Sequence, residues 1–191
     1  MTSELTLLPS LLGGGNLTCD LSDADDEVAV LPLTFAWRSN AKPFFGLAHT
    51  VCAPQGDLDA VYEGIRTAPS GCVLIVETGG SDRAVWGETT TLEALRQSVA
   101  GVIFDGACRD IPAVKASGLA VIGRGVSPKR AARTGRGGVG EALQLYGVTI
   151  YPGDLIVSDE NGTVIVPQAH MSTLIDKVSE AYKEAKNGFN R

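Results

Sequence analysis

The sequence lacks the features that mark membrane-spanning and secreted proteins. No apolar run is long enough to cross a bilayer, and residues 1–10 carry no basic region ahead of an apolar segment, as a secretory signal would. Only four cysteines occur among 191 residues, and no two of them stand at a zinc-ligand or redox spacing. We therefore expect a cytoplasmic protein with reduced thiols and no membrane partner.

Basic charge is also scarce. Lys and Arg number 16 against 22 Asp and Glu, so the formal net charge is -6 at pH 7, and we expect no nucleic-acid partner. An acidic protein can bind an anionic small molecule only through a local Arg, a helix N-terminus or a metal. The most basic segment is a loop whose side chains are either solvated or in contact with an anionic ligand or an acidic neighbour. Its basic residues are Arg124, Lys129, Arg130, Arg133 and Arg136.

Strand and helix patterns alternate through the middle of the chain. Continuous apolar runs at 72–76, 102–104 and 119–122 are typical of strands buried on both faces. Helical spacing lies between them, and Asp57 is suited to capping the first helix of the series. This alternation predicts a partly parallel sheet. The predicted helices are 58–67, 90–100, with Leu92, Leu95 and Val99 facing inward, and 111–117.

The two ends of the chain do not continue the alternation of strands and helices. An apolar segment at 5–12 predicts a short helix or arm that packs on the rest of the chain or on a neighbouring subunit. Short strands with a hairpin signal at Asn161-Gly162 follow residue 147, and an amphipathic helix covers 171–186. We predict one α/β domain over 1–191, with an N-terminal arm at 1–17 and a mixed sheet whose β-rich C-terminal half is closed by a helix.

One candidate site motif lies at the start of a predicted helix. Gly79-Gly80-Ser81 forms a loop, and Gly87-Glu88-Thr89-Thr90 then opens the helix. The backbone amides of Thr89 and Thr90 can hold a carboxylate with help from the helix dipole. The alternative is structural: Glu88 caps the helix and Trp86 fills the core.

The second motif, Arg109-Asp110, follows a buried strand. Arg109 offers planar donors for a carbonyl or carboxylate group, and Asp110 offers hard oxygen ligands for Mg²⁺ or Mn²⁺. The alternative is a surface Arg beside a helix-capping Asp. Taken with Glu88, the pair suggests a metal with few protein ligands that polarises a 2-oxo acid for carbon-carbon cleavage.

Both motifs and two later segments resemble the RraA-like family in the same order, over roughly 20–167. The likeness is carried by Gly80 with Trp86-Gly87-Glu88, by GVIFDGACRD at 101–110, by GVTIYPGD at 147–154 and by DENGTVIVP at 159–167, and more loosely by 20–24 and 46–51. The resemblance implies the layered α/β fold of that family. It also implies a homotrimer, or a hexamer of two trimers, with sites near subunit interfaces.

The family contains 4-hydroxy-4-methyl-2-oxoglutarate/4-carboxy-4-hydroxy-2-oxoadipate aldolases, which also decarboxylate oxaloacetate, and inhibitors of RNase E. In the aldolases the Arg contacts the pyruvyl oxygen and the Asp binds the divalent metal, which implies these roles for Arg109 and Asp110. Glu88 is implied to hold a water that relays protons, although the aldolases have Asp there. The residues implied to bind substrate are Gly87, Thr89, Thr90 and Arg109.

The implied reaction is the release of pyruvate from a 4-hydroxy-2-oxo acid. Arg109 and the metal, Mg²⁺ or another divalent ion, would stabilise the pyruvate enolate, while a water ordered by Glu88 takes the proton from the C4 hydroxyl. The RNase-inhibitor branch typically lacks the Arg-Asp pair, so its presence favours an enzyme. Two alternatives stay open: a non-catalytic regulator that binds a ribonuclease or another protein, and a lyase of the same scaffold acting on an unrelated 2-oxo or hydroxy acid.

The remaining polar candidates are weaker. A lone His in a strand-like run is more often a core residue with one hydrogen bond than a catalyst, so we expect that of His49. We expect His170 to cap the final helix and Cys108 to serve packing. Asp154 and Asp159 are predicted to be turn residues.

Overall fold

The fold is built on a mixed sheet of ten strands. The computed structural model describes residues 3–40 and 43–189 of the chain. After a 3-10 turn at Ser3–Thr6, the helices are α1 Leu8–Leu12, α2 Leu17–Ala24, α3 Leu58–Thr67, α4 Glu88–Arg96, α5 Ile111–Ala116 and α6 Met171–Phe189. The strands are β1 Ala29–Val30, β2 Ala36–Trp37, β3 Phe44–Cys52, β4 Val73–Glu77, β5 Ala84–Trp86, β6 Gly101–Cys108, β7 Ala120–Val126, β8 Gly138–Val139, β9 Leu143–Leu145, β10 Val148–Ile150, β11 Leu155–Asp159 and β12 Gly162–Val166.

Parallel strands form the centre of the sheet. The order is β1-β12-β11-β3-β4-β6-β7-β2, in which β3, β4, β6 and β7 run parallel to one another. The short strand β5 pairs with the end of β6, also in parallel. The carboxyl ends of the central strands therefore meet at one edge, where open α/β sheets commonly build their sites.

The central strands are apolar because both of their faces are covered. Helices α3, α4 and α5 pack on one face through a cluster that includes Trp86 and Phe104, whose rings stack 6.1 Å apart. Strands β9 and β10, which form a separate two-stranded sheet, contribute Leu143, Leu145 and Ile150 to the cluster on the other face. The predicted α/β class with a mixed sheet and a C-terminal helix is confirmed.

The two ends of the chain pack against each other. Leu8 and Leu11 of α1 lie in one cluster with the inward side of α6, so this chain buries the apolar side of its own N-terminal helix. Unlike β9 and β10, the strands β11 and β12 do not form a layer of their own, because β11 pairs antiparallel with β3 and thereby extends the main sheet. The predicted hairpin joins β11 and β12, with its turn one residue earlier, at Glu160-Asn161. Among the described residues, no helix has the length and apolarity needed to span a membrane.

One predicted helix face is wrong. Helix α4 begins at Glu88 and ends at Arg96, and its buried residues are Thr90, Thr91 and Ala94. Leu92 and Leu95 are 48% and 38% exposed. Val99 is buried as predicted but lies beyond the end of the helix. The reason is that Trp86 lies under the first turn and donates a hydrogen bond from Nε1 to Thr91 Oγ1 at 2.9 Å, which turns the polar threonine face inward.

Candidate active site

The Arg109-Asp110 pair lies immediately beyond the end of β6. The backbone N–H of Arg109 donates to the carbonyl oxygen of Trp86 at 2.9 Å, which ties the pair to the end of β5. Asp110 then adopts a left-handed conformation, with φ 54° and ψ 39°. A positive φ is uncommon outside glycine but is several-fold enriched for Asp and Asn. This turn brings the Asp110 carboxylate against the first turn of α4.

Gly87 makes that close approach possible. A Cβ at this position would lie 2.7 Å from Asp110 Oδ2 and 3.2 Å from Arg109 Cγ. The backbone of Gly87 is extended and unstrained, so the requirement for glycine here is one of space alone. Thr90 Oγ1 accepts a hydrogen bond from the Gly87 N–H at 2.9 Å and donates one to the Gly87 carbonyl at 3.0 Å, which fixes the start of the helix.

The Asp110 carboxylate serves the neighbouring helix and not its own. It precedes α5 but makes no side-chain capping bond to it. Instead, Oδ2 accepts a hydrogen bond from the Glu88 N–H at 3.2 Å and lies 3.6 Å from Arg109 Nε. Oδ1 has no donor among the described residues, and the side chain is 42% exposed. This arrangement argues against a side-chain cap of α5 by Asp110, although the residue occupies the N-cap position of that helix.

The first turn of α4 presents free donors beside this carboxylate. The backbone N–H groups of Thr89 and Thr90 have no acceptor within the described part of the chain, as expected at a helix N-terminus. They point where the helix dipole favours an anion. Trp86 is buried in the core, so this part of the structural alternative is correct.

A small cleft joins most of the predicted site residues. Its volume is about 40 Å³, and five of its lining residues were predicted from the sequence: Gly87, Thr89, Thr90, Arg109 and Asp110. Glu88 contributes its backbone N–H to the arrangement, but its exposed side chain does not line the cleft. The loop Gly79-Gly80-Ser81 does not line it either. Its position is set by the buried carboxylate of Asp105, which accepts hydrogen bonds from the N–H groups of Thr78 and Gly80.

Sequence reasoning missed the wall of the cleft that α3 supplies. Leu58 and Tyr62 line it opposite the Arg-Asp pair. The sequence shows where α3 begins, because Asp57 caps it, but carries no signal that this helix lies across from a motif 47 positions away in the chain. That proximity arises only from the parallel order of β3, β4 and β6.

A much larger cavity lies elsewhere and lacks the same chemistry. It has a volume of about 780 Å³ beside α1 and β3 and is mostly apolar, with His49 as its only basic or acidic side chain among the described residues. His49 Nε2 lies 3.1 Å from the Gly64 carbonyl oxygen, and burial lowers the pKa of its imidazole. This supports the structural prediction for His49, so we place the candidate chemistry in the smaller cleft.

The other weak candidates are also structural. Burial raises the pKa of the Cys108 thiol to about 12, as a packing role requires. His170 precedes α6 and its carbonyl accepts from Leu174 N–H, but its imidazole pairs with Asp25 at 2.9 Å. Asp154 accepts one hydrogen bond within its turn, from the Tyr151 N–H, and one from the Gln168 N–H outside it. Asp159 does more than predicted, because it accepts from both the N–H and the hydroxyl of Thr18 and so anchors α2.

The donor set suits a cation that keeps most of its water. The described residues contain no group of three side chains able to enclose a metal ion. Asp110 offers one carboxylate oxygen, Oδ1, that has no donor among the described residues, while Oδ2 accepts the Glu88 N–H and lies beside the space at Gly87. Mg²⁺ is commonly held by one or two carboxylates together with waters and substrate oxygens. The site therefore fits Mg²⁺ or Mn²⁺ and does not fit a closed structural metal site.

Comparison with known proteins identifies the family. The family model described as RraA-like, Aldolase/RraA, matches residues 18–165. The chain belongs to the RraA-like family. Among its relatives, a 4-hydroxy-4-methyl-2-oxoglutarate aldolase of Thermus thermophilus is 31% identical over 152 residues, which are 79% of this chain and 92% of that protein.

Solved structures of RraA-like chains carry different names. The RNA-processing inhibitor RraA from Thermus thermophilus matches with a TM-score of 0.74 and 30% identity, over 79% of this chain and 92% of that one. A chain from Geobacillus kaustophilus described as an S-adenosylmethionine:2-dimethylmenaquinone methyltransferase has the same TM-score and 31% identity, over 79% and 94% of the two chains. Because equally similar relatives are named for different activities, the site must decide between them.

Proposed function

We propose that this RraA-like chain is a divalent-metal-dependent lyase that releases pyruvate from 4-hydroxy-2-oxo acids and decarboxylates oxaloacetate. The proposal rests on one observation: three kinds of group line the same cleft. They are the Arg109 guanidinium, the Asp110 carboxylate with its unbonded Oδ1, and the unbonded amides of Thr89 and Thr90. The relatives named as 4-hydroxy-4-methyl-2-oxoglutarate aldolases support the choice of substrate class.

Each group has a distinct task in binding. The amides of Thr89 and Thr90 receive the C1 carboxylate of the substrate, because a helix N-terminus favours an anion. Arg109 donates to the C2 carbonyl oxygen, where negative charge develops during cleavage. Asp110 would hold the divalent cation, which would supply Lewis acidity toward the bound 2-oxo acid.

Bond cleavage follows from where the charge goes. Removal of the proton from the C4 hydroxyl makes C4 a carbonyl carbon, and the electrons of the C3–C4 bond move onto the pyruvyl fragment. The resulting enolate takes a proton at C3 and leaves as pyruvate. Arg109 stabilises the enolate oxygen. The exposed carboxylate of Glu88, a residue whose backbone N–H is bonded to Asp110, orders the water that takes the C4 hydroxyl proton. Oxaloacetate loses CO₂ through the same enolate and needs no such base.

A second candidate is a non-catalytic regulator that binds a ribonuclease. The likeness to the RNA-processing inhibitor favours it. A protein-binding role, however, does not require a guanidinium, a carboxylate with an unbonded oxygen and two unbonded helix amides to meet at one cleft. We therefore rank the lyase first, with an unrelated 2-oxo or hydroxy acid as the remaining alternative for its substrate.

The test is pyruvate release by the purified protein. 4-Hydroxy-4-methyl-2-oxoglutarate or oxaloacetate is supplied with Mg²⁺ or Mn²⁺, and pyruvate is followed with lactate dehydrogenase. Controls contain EDTA, or the metal without protein, because free metal also decarboxylates oxaloacetate. We expect turnover that needs both protein and metal and that Arg109→Ala and Asp110→Ala each abolish. No turnover above the metal control, or a fully active double variant, would refute the proposal.

A further inference from the structure

The basic loop that follows β7 is attached to both walls of the candidate cleft. On the α3 side, Leu58 N–H donates to the Ala132 carbonyl oxygen at 2.9 Å, and Ala132 N–H donates to Gly56 at the same distance. On the β5 side, Ala84 N–H donates to the Lys129 carbonyl oxygen at 2.8 Å. Leu58 and Ala84 both line the cleft, so the course of this loop is set by the site itself.

A buried carboxylate holds the far end of the loop. Asp57 is completely buried and accepts hydrogen bonds from Thr134 N–H at 3.0 Å, Thr134 Oγ1 at 2.8 Å and Arg136 N–H at 2.8 Å. Burial alone would raise its pKa, but these bonds and one from the Asp59 N–H lower the pKa to about 2. Asp57 is therefore charged at neutral pH and fixes the backbone on both sides of Thr134.

Arg133 extends from this fixed segment over α3. Its Nη1 lies 2.7 Å from Asp59 Oδ1, and its guanidinium carbon lies 5.5 Å from the centre of the Tyr62 ring. Tyr62 in turn lines the cleft with Arg109 and Asp110. The Arg133 side chain is 54% exposed, and its contact with Asp59 occupies only one of its five N–H donors. A second guanidinium, with donors that have no partner among the described residues, thus lies beside Tyr62, which is one of the residues that line the cleft.

The size of the cleft makes this position matter. About 40 Å³ can hold a few atoms of substrate but not a complete diacid. If the reacting end is bound by Arg109 and the amides of α4, the remainder of the molecule lies outside the cleft. Tyr62 lines the cleft, and the loop is hydrogen-bonded to Leu58 and Ala84, which also line it.

Resting on the proposed function, we propose that Arg133 is a specificity-determining residue that binds the distal carboxylate of a 4-hydroxy-2-oxo diacid. The guanidinium can receive that carboxylate through two parallel N–H donors while it keeps its bond to Asp59. The face of the Tyr62 ring stabilises the guanidinium through a cation–π contact. Monoacids with the same reacting end lack the group that Arg133 recognises.

The experiment compares two substrates that share their first four carbons. These are 4-hydroxy-4-methyl-2-oxoglutarate, a diacid, and 4-hydroxy-2-oxopentanoate, a monoacid. We expect Arg133→Met to lower kcat/KM for the diacid about ten- to hundredfold, as the loss of a charged hydrogen bond would, and for the monoacid less than about threefold. Arg133→Lys should fall in between, since Lys cannot bind a carboxylate through two parallel donors.

Two further variants separate recognition from a structural or general charge effect. Arg136→Met removes an equal charge from the same loop, and its side chain forms no ion pair within the described ranges. Asp59→Asn removes the ion pair and leaves Arg133 in place. Both variants should keep the preference of the wild type for the diacid. If Asp59→Asn lowered kcat/KM for the diacid as much as Arg133→Met does, the effect would come from the loss of the ion pair with α3, and Arg133 would have a structural role only.

The outcomes also distinguish this proposal from the proposed function. If Arg133→Met lowered the activity on both substrates equally, or did not lower the activity on the diacid, the role of Arg133 would be overturned. The proposed lyase activity would not be affected by either result. A wild-type protein that is inactive on both substrates would refute the lyase and, with it, the specificity. Metal-dependent activity in the wild type, together with a loss of only the diacid preference in Arg133→Met, would support both the lyase and the role of Arg133.

Discussion

Gly87→Ala tests the packing at the candidate site with the smallest possible change. The added Cβ would lie 2.7 Å from Asp110 Oδ2, whereas ordinary contact begins near 3.4 Å, so the carboxylate must move by about 0.7 Å. The backbone at Gly87 is extended and tolerates alanine, and the Asp110 side chain is 42% exposed and can shift. We therefore expect the free energy of unfolding to change by less than about 1 kcal/mol.

The effect on catalysis should be far larger. A displacement approaching 1 Å at a catalytic group can cost about a hundredfold in rate, equivalent to about 2.7 kcal/mol of transition-state stabilisation. Pyruvate release gives kcat/KM, and thermal unfolding followed by circular dichroism gives stability. Gly138→Ala is the matched control, because a Cβ at Gly138 meets nothing within 4 Å. Wild-type kcat/KM in Gly87→Ala, or an equal loss in the control, would refute the claim that the position of Asp110 matters.

Three further predictions concern the fold. Because the pKa of Asp57 is lowered to about 2, its charge should contribute about 2 kcal/mol to the free energy of unfolding above pH 4, and this contribution is lost as the pH falls to 2. Urea unfolding between pH 5 and 2 should show this decrease. An equal decrease in Asp57→Asn would contradict the prediction. Burial raises the pKa of Cys72 to about 11 and that of Cys108 to about 12. At pH 8 a thiol reagent should therefore label exposed Cys19 in the folded protein, and Cys72 and Cys108 only after unfolding. Labelling of Cys72 or Cys108 in the folded protein, detected by mass spectrometry, would contradict this prediction. Leu92→Ser on the outer face of α4 should cost less than about 1 kcal/mol, and a loss above about 2 kcal/mol in denaturant unfolding would contradict its exposure.

Local signals predicted the elements that depend on local physics. Helix α3 spans the predicted residues because Asp57 caps it and its apolar spacing is regular. The buried strands were visible as continuous apolar runs because both of their faces are covered. The face of α4 was not predictable in the same way. Periodicity identifies Leu92 and Leu95 as neighbours, but the ring of Trp86 decides which side is covered.

The candidate site was predictable only where it is contiguous in sequence. Arg109 and Asp110 could be recognised because they follow a strand, the usual position of site residues in α/β sheets. The left-handed turn at Asp110 and the contact with Gly87 depend on atoms 22 to 23 residues apart and leave no local pattern. Tyr62 lines the cleft from α3, and Arg133 lies beside Tyr62 on the loop attached to that helix, so both positions had to come from the structure.

The most direct test of the central claim is a Mg²⁺ titration of pyruvate release by the wild type and by Asp110→Asn. The amide retains an oxygen that can accept the Glu88 N–H, so the fold and the start of α4 should be preserved. We predict that EDTA abolishes wild-type activity and that the variant needs at least about tenfold more Mg²⁺ for half-maximal activity, or has none. Superimposable titration curves, or pyruvate release that persists in EDTA, would contradict a metal-dependent lyase centred on Asp110.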